Sequence, residues 1–224
     1  MVINAAGPWS DALRAQLNQP ERLRPQRGSH LIFPRERLPL QYAVTLLHPK
    51  DKRAMFAIPW EGTTLIGTTD LDHPAPLDLG EPYCTQAEAD YILEAATAFF
   101  PSARLNQADV LSSFAGLRPI IRGSASDPSA ESRVHVVWEE DGMITITGGK
   151  LTIFRKMAED ALRKAAPALG ISLRPLNRYY DALPKPSTAQ HSDLSADQTL
   201  YLSGRYSFAL PELLKAAKPD ELSP

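Results

Sequence analysis

Most of what this sequence says about its fold lies in one stretch, Thr145-Ile146-Thr147-Gly148-Gly149-Lys150-Leu151-Thr152-Ile153-Phe154-Arg155-Lys156. The alternation that runs from Met143 to Thr147 predicts a β-strand. Two glycines follow it. Apolar residues then recur at helical spacing, at Leu151, Phe154, Met157, Ala158, Ala161, Leu162 and Ala165. The sequence therefore predicts a strand, a tight glycine turn and a helix in direct succession.

This succession is typical of a site that binds negative charge. Gly148 and Gly149 let the backbone approach a ligand closely, and the N–H groups of a first helical turn have no partners within the helix. The helix dipole adds positive potential at the same place, and Lys150 adds a full charge. The alternative is an ordinary strand-to-helix turn with a solvated lysine.

Composition narrows the class of protein. The chain has 224 residues, 43% of them hydrophobic and 22% charged, which is enough for one large globular domain or for a domain with an appendage. A net charge of -2 gives no reason to expect a nucleic-acid partner. Cys84 is the only cysteine, so we expect no intrachain disulfide, no cysteine-based metal site and a reducing compartment, the cytoplasm, and we assign no metal ligands.

Several short strands without helices between them predict an antiparallel sheet. We place strands at 28–34, 42–47, 53–59, 63–69 and 110–116, a basic link at 20–27, and a hairpin at 133–138 and 143–147. Thr85 and Glu88 form a capping box that opens a helix. The fold class that we predict is α+β, an antiparallel sheet with flanking helices.

Six short motifs follow one another along the chain: Asn4-Ala5-Ala6-Gly7-Pro8-Trp9, Arg27-Gly28-Ser29-His30, Ile58-Pro59-Trp60, Ile66-Gly67-Thr68-Thr69-Asp70, Gly116-Leu117-Arg118-Pro119 and Gly148-Gly149-Lys150-Leu151-Thr152. In this order they resemble the FAD-dependent glycerol-3-phosphate dehydrogenases that reduce quinone. The sequence departs from that family at Ala6, where the family often has threonine, and at Ile153 and Phe154, where it has more polar residues.

The resemblance implies a domain organisation. Residues 1–170 are expected to form part of an FAD-dependent oxidoreductase domain, with FAD-contacting pieces at 1–18 and 145–166 and a substrate-binding sheet at 28–138. Residues 171–196 are expected to be a linker, and 197–224 an incomplete helical domain. The pieces at 1–18 and 145–166 would be remnants of an α/β FAD-binding domain. The Gly-rich fingerprint of that domain is absent from this sequence, so we expect the chain to be the C-terminal part of such an enzyme.

Three residues are expected to act on the substrate. His30 can accept a proton near neutral pH, and Arg118 can hold a phosphate or a developing alkoxide with two parallel hydrogen bonds. The resemblance implies that both face the substrate, that Lys150 lies near substrate and flavin, and that Arg133 is a weaker phosphate ligand. It implies that FAD is bound by Ala6, Gly7, Gly148, Gly149, Lys150, Leu151 and Thr152.

The expected reaction is oxidation of sn-glycerol 3-phosphate to dihydroxyacetone phosphate, with hydride transfer to FAD and electrons passed to quinone. Two alternatives stay open: another flavin-dependent oxidoreductase that acts on an amine or a hydroxy acid, and a non-catalytic fragment. A homodimer and peripheral contact with the inner face of the cell membrane are further expectations from the resemblance.

Overall fold

The computed structural model describes residues 1–73, 82–123, 134–173, 194–218 and 221–222. The chain divides into two units, Met1–Arg174 and Pro175–Pro224. Within its described residues, the second unit includes the helices α4 (Ala196–Tyr206) and α5 (Leu210–Ala216), and α4 begins at a capping box on Ser195. Most of the predicted linker, and the candidate ligand Arg133, lie outside the described residues.

A six-stranded sheet forms the larger part of the first unit. Its order is β3-β4-β5-β2-β6, and β7 pairs with the other side of β2. Every pair is antiparallel, as predicted. The strands are β2 (Leu23–Pro34), β3 (Val44–Leu47), β4 (Ala54–Trp60), β5 (Thr63–Gly67), β6 (Leu71–Asp72) and β7 (Ser112–Ile121).

Strand β2 begins earlier than the sequence predicted. The prediction of a link over 20–27 is wrong for Leu23 to Arg27, which already pair with β7. Pro25 lies opposite Pro119 in this pairing. The carbonyl oxygen of Pro25 accepts from the backbone N–H of His73, on the β6 side of β2, so the Pro25–Pro119 pair is a non-hydrogen-bonded pair and neither missing N–H is needed between β2 and β7. The prolines are thereby accommodated inside long strands.

Helix α2 (Gln86–Phe99) covers one face of this sheet. The predicted capping box is present, since Thr85 accepts from the Glu88 backbone and Glu88 reaches back to Thr85. Ile92, Ala95 and Ala96 are buried, whereas Phe99 is 48% exposed. The helix packs on alternate residues of the strands, and the resulting core contains Leu31, Phe33, Leu46, Met55, Ala57, Ile66 and Ile92.

A separate three-stranded sheet holds the predicted hairpin. Strand β1 (Val2–Asn4) runs parallel to β9 (Met143–Thr147), which pairs antiparallel with β8 (Val136–Glu140). The prediction that 136–138 belong to the substrate-binding sheet is wrong. Strand β9 is fully buried in the smaller sheet, and β8 belongs to the same sheet because it is the hairpin partner of β9.

Two helices flank the smaller sheet. In α1 (Ser10–Ala15), the fully buried Arg14 donates to both carboxylate oxygens of Glu140, at 2.7 and 2.9 Å, and so ties the helix to β8. Helix α3 (Phe154–Leu169) follows the glycine turn after β9 and ends at Gly170. No helix in the described part of the chain is long and apolar enough to cross a membrane.

Candidate functional site

His30 lies in the open face of the six-stranded sheet, opposite the face that α2 covers. On β2 it is flanked by Gly67 of β5 and Phe114 of β7. Its ring stacks on Phe114 with centroids 4.6 Å apart and planes 9° from parallel. A methyl group at position 67 would lie 2.3 Å from His30 Cδ2, so the imidazole rests directly on the backbone of Gly67.

The protonation state of His30 follows from this environment. Burial lowers the pKa of His30, and the positive charge of Arg118 lowers it further. Nδ1 is buried and has no hydrogen-bond partner among the residues that the structure describes. A protonated ring would leave a buried N–H unpaired at that atom, which disfavours the charged form. Both effects favour the neutral form of the His30 imidazole.

Arg118 lies on the same face of the sheet as His30. It faces Gln26 in the pairing of β7 with β2, two pairs along from Gly28 and four along from His30. The strand predicted at 110–116 extends further than expected, because β7 continues through Arg118 and Pro119 to Ile121, paired with the first part of β2. The terminal nitrogens of Arg118 contact Thr68, Thr69 and Asp70.

A buried carboxylate supports the site from the covered face. Glu88 accepts hydrogen bonds from the hydroxyls of Ser29 and Thr69, at 2.8 and 2.9 Å, and pairs with Arg27 at 2.8 Å. Burial raises the pKa of Glu88, but hydrogen bonds from Arg27, Thr85 and Ser29 outweigh burial and lower it to about 2. The sequence revealed only the capping role of this residue; it did not reveal its bonds to Ser29, which precedes His30 in the chain, or to Thr69, which contacts Arg118.

The glycine turn after β9 has the predicted character. Gly148 and Gly149 have φ angles of 76° and 71°. A methyl group at position 148 would lie 2.8 Å from the carbonyl oxygen of Val134, and one at 149 would lie 2.7 Å from Met157 Sδ. Only glycine fits this turn without displacing its neighbours.

The helix after the turn starts later than expected. Leu151, Thr152 and Ile153 form a short 3-10 turn, and the α-helix begins at Phe154. Lys150 is exposed at the start of this turn. It follows the smaller sheet, so it belongs to a different part of the framework from His30 and Arg118.

An apolar cavity of about 430 Å³ opens beside the glycine turn. A volume of this order is usual for a small-molecule site. Gly7, with a φ of 58°, faces it from the end of β1, and a methyl group there would meet nothing within 4 Å. The lining includes Ile3, Ala5, Gly7, Pro119, Gly148 and Phe154. Room, apolar walls and exposed turn backbone are what a flavin ring system requires, so these residues fit FAD.

Strand β7 links the cavity to the sheet face. Pro119 lines the cavity, while the preceding residue, Arg118, lies on the face that carries His30. Successive side chains of a strand point to opposite faces. The structure thus brings His30 and Arg118 together and places the cavity within one residue of Arg118.

Comparison with known proteins agrees with this geometry. Residues 1–184 match the family model described as FAD dependent oxidoreductase. The chain belongs to this family. Aerobic glycerol-3-phosphate dehydrogenase of Staphylococcus aureus (strain USA300) is 32% identical, over 98% of this chain and 43% of that protein. The family that the sequence motifs predicted is confirmed.

Solved structures show the same relationship. Glycerol-3-phosphate dehydrogenase from Bacillus halodurans, complexed with FAD, is 42% identical with a TM-score of 0.66, over 76% of this chain and 32% of that one. Glycine oxidase from Geobacillus kaustophilus is 18% identical with a TM-score of 0.50, over 77% of this chain and 42% of that one, and shows a shared fold alone. The α+β prediction is confirmed, and this member of the oxidoreductase family spans less than half the length of these proteins.

Proposed function

We propose that this chain forms the substrate-binding part, and part of the FAD-binding part, of an enzyme that oxidises sn-glycerol 3-phosphate to dihydroxyacetone phosphate. The observation that carries the proposal is His30, whose pKa is lowered and whose Nδ1 has no hydrogen-bond partner among the described residues, on the sheet face that also presents Arg118. The 32% and 42% identity to glycerol-3-phosphate dehydrogenases supports this substrate.

The two side chains divide the work on the substrate. The neutral imidazole of His30 accepts the proton of the hydroxyl that is oxidised, which requires a base that is uncharged at neutral pH. Arg118 binds the phosphate or the developing alkoxide, since a planar guanidinium offers paired donors to such oxygens. When bound, FAD supplies the acceptor for the hydride from the substrate carbon.

Seven residues are proposed to hold FAD: Ala6, Gly7, Gly148, Gly149, Lys150, Leu151 and Thr152. Among them, Gly7 and Gly148 line the cavity, Ala6 precedes Gly7 in the chain, and residues 149–152 follow Gly148. The exposed Lys150 offers a positive charge to a ligand there. We also propose Lys150 and Arg133 as substrate ligands, and Lys150 as a catalytic residue, on the family resemblance alone.

Quinone as electron acceptor, a homodimer, a cytoplasmic location and peripheral membrane contact stay predictions from that resemblance. A second substrate class is an amine or hydroxy acid, the alternative that the sequence leaves open. Arg118 would serve a carboxylate as readily as a phosphate. Competition between sn-glycerol 3-phosphate and glycine or lactate for the same chain separates these classes.

The test is an absorption spectrum of the purified chain with FAD, followed by anaerobic sn-glycerol 3-phosphate. We expect flavin bands that bleach with the wild type and persist with His30→Asn, while His73→Asn behaves as the wild type. His73 is a suitable control because burial lowers its pKa too, yet it lies next to β6, away from Phe114. Bound flavin that fails to bleach would contradict the proposed reaction, and no bound flavin would show that this chain does not hold FAD by itself.

A further inference from the structure

Three oxygens of one short segment hold the guanidinium of Arg118. Nη2 donates to the hydroxyl of Thr68 at 3.1 Å, and Nη1 lies 3.4 Å from both the carbonyl oxygen of Thr69 and Oδ1 of Asp70. We name residues 68–70 the acceptor segment. It connects β5, which ends at Gly67, to β6, which begins at Leu71.

The hydroxyl of Thr68 is oriented to accept. Its single hydrogen is donated to the carbonyl oxygen of Thr69 at 3.0 Å, which leaves its lone pairs for Arg118. On the other side, Gly28 lets the guanidinium lie against the backbone of β2. A methyl group at position 28 would lie 2.2 Å from Arg118 Nη2. The arginine is therefore confined between a bare backbone and a set of acceptors.

The acceptor segment is itself fixed from the covered side of the sheet. The hydroxyl of Thr69 accepts from the backbone N–H of Ser29 and donates to Glu88, both at 2.9 Å. Arg53 donates to the carbonyl oxygen of Asp70 at 2.8 Å. Asp70 is only 6% exposed, so its carboxylate is a charge that the fold holds in place beside Arg118.

We propose that Asp70 is a positioning residue which, together with Thr68, holds the guanidinium of Arg118 at the place where the anionic group of the substrate binds. This proposal rests on the proposed function for the identity of that anion. Its structural part, that Asp70 determines where the Arg118 charge lies relative to His30, is independent of any substrate. An arginine side chain has much rotational freedom, and a buried carboxylate restricts it to one orientation.

The first experiment measures the position of the Arg118 charge without substrate. The His30 imidazole is titrated by NMR in the wild type, Asp70→Asn and the control Asp72→Asn, whose carboxylate pairs with Arg24 on the same sheet. If Asp70 positions Arg118, its removal lets the guanidinium move away and raises the pKa of His30. Loss of a negative charge with no movement of Arg118 would instead lower it. An unchanged or lowered pKa overturns the proposal.

A second variant tests the same proposal in case Asp70→Asn does not fold. Thr68→Ala removes the acceptor of Nη2 and changes no charge, so under the proposal it also raises the pKa of His30. In the same samples, Asp70→Asn should weaken binding of sn-glycerol 3-phosphate about tenfold, the order expected when a charged hydrogen-bond partner is lost. A wild type that does not bind this ligand contradicts the proposed function only, because the His30 titration still decides the role of Asp70.

Discussion

The imidazole of His30 lies across the backbone of Gly67, where a methyl group would come within 2.3 Å of the ring. Arg118 has the same relationship to Gly28. Each proposed reactive side chain thus rests on a glycine of the neighbouring strand. A third glycine, Gly116, faces Gly28 across the β2–β7 pair, but a methyl group there would meet nothing within 4 Å. Gly116 is therefore a control position for alanine substitutions at Gly67 and Gly28.

Gly67→Ala should displace His30 and destabilise the fold, whereas Gly116→Ala should do neither. Forcing a methyl group into a packed site costs about 1–3 kcal/mol. At the open position 116, alanine instead restricts the unfolded chain and is neutral or slightly stabilising. Denaturant unfolding and the NMR signals of His30 measure both effects. Equal responses from the two variants would show that His30 does not rest on Gly67.

Local signals in the sequence predicted much of this structure. The strand, glycine turn and helix around Gly148 were predicted from periodicity, and the capping box at Thr85 from two residues. His30 and Arg118 were found because their chemistry stood out beside glycines in predicted strands, and because the ordered motifs resemble a family. The predictions that agree with the structure rest on residues that are close together in sequence.

The wrong predictions concern residues whose partners are distant in sequence. Pro25 breaks the pattern of a strand, so the sequence predicts a link at the first part of β2, yet Pro25 pairs with Pro119, 94 residues further along the chain. Glu88 was seen only as a helix cap because its bonds to Ser29 and Thr69 join three separate elements. Strand β8 was assigned to the wrong sheet because hairpin periodicity does not specify which sheet a hairpin joins.

Glu88→Gln should be the most destabilising isosteric change near the site. Breaking a buried ion pair leaves Arg27 uncompensated and costs about 3–5 kcal/mol. Glu94→Gln on the same helix is the matched control, because Glu94 pairs with Lys50 on the surface, where such a pair is worth at most about 1 kcal/mol. Urea unfolding of both variants checks this expectation. If Glu88→Gln lost less unfolding free energy than Glu94→Gln, the supporting role of Glu88 would be contradicted.

Stability should fall steeply in acid because of the same carboxylate. The pKa of Glu88 is about 2 in the folded chain and 4.5 as a free side chain. A depressed pKa contributes stability that is present above pH 4.5 and is lost as pH falls toward 2. The difference corresponds to about 3 kcal/mol. Unfolding free energy measured across this range should slope less in Glu88→Gln than in the wild type, and parallel slopes would refute the assignment.

His30 should titrate below its ordinary pKa of 6.5 in the folded chain. Burial is the larger cause and remains in Arg118→Gln, whereas the repulsion from Arg118 is removed. That variant should therefore raise the pKa of His30 while leaving it below 6.5. By linkage, the neutral ring stabilises the fold above pH 6.5, and this contribution is lost as pH falls through the lower folded-state pKa. NMR titration measures the shift, and Arg24→Gln, which removes a cation paired with Asp72, should leave it unchanged.

Gly148→Ala should weaken FAD binding, while Gly142→Ala should not. Both glycines have positive φ, 76° and 82°, so alanine at either one carries a similar backbone strain of about 1–2 kcal/mol. Only position 148 lines the cavity, and only there would the methyl group lie against a carbonyl oxygen, that of Val134, at 2.8 Å. Gly142 lies in the β8–β9 turn with nothing within 4 Å of its methyl position.

Comparing these two variants separates the effect of the contact with FAD from the effect of backbone strain. Fluorescence titration of each with FAD should show at least about tenfold weaker binding for Gly148→Ala than for Gly142→Ala. Equal loss in both would mean that strain alone reduces binding and that the turn after β9 is not the flavin contact. Unaltered FAD binding in both variants would show that FAD does not contact this turn and does not occupy the cavity beside Gly7.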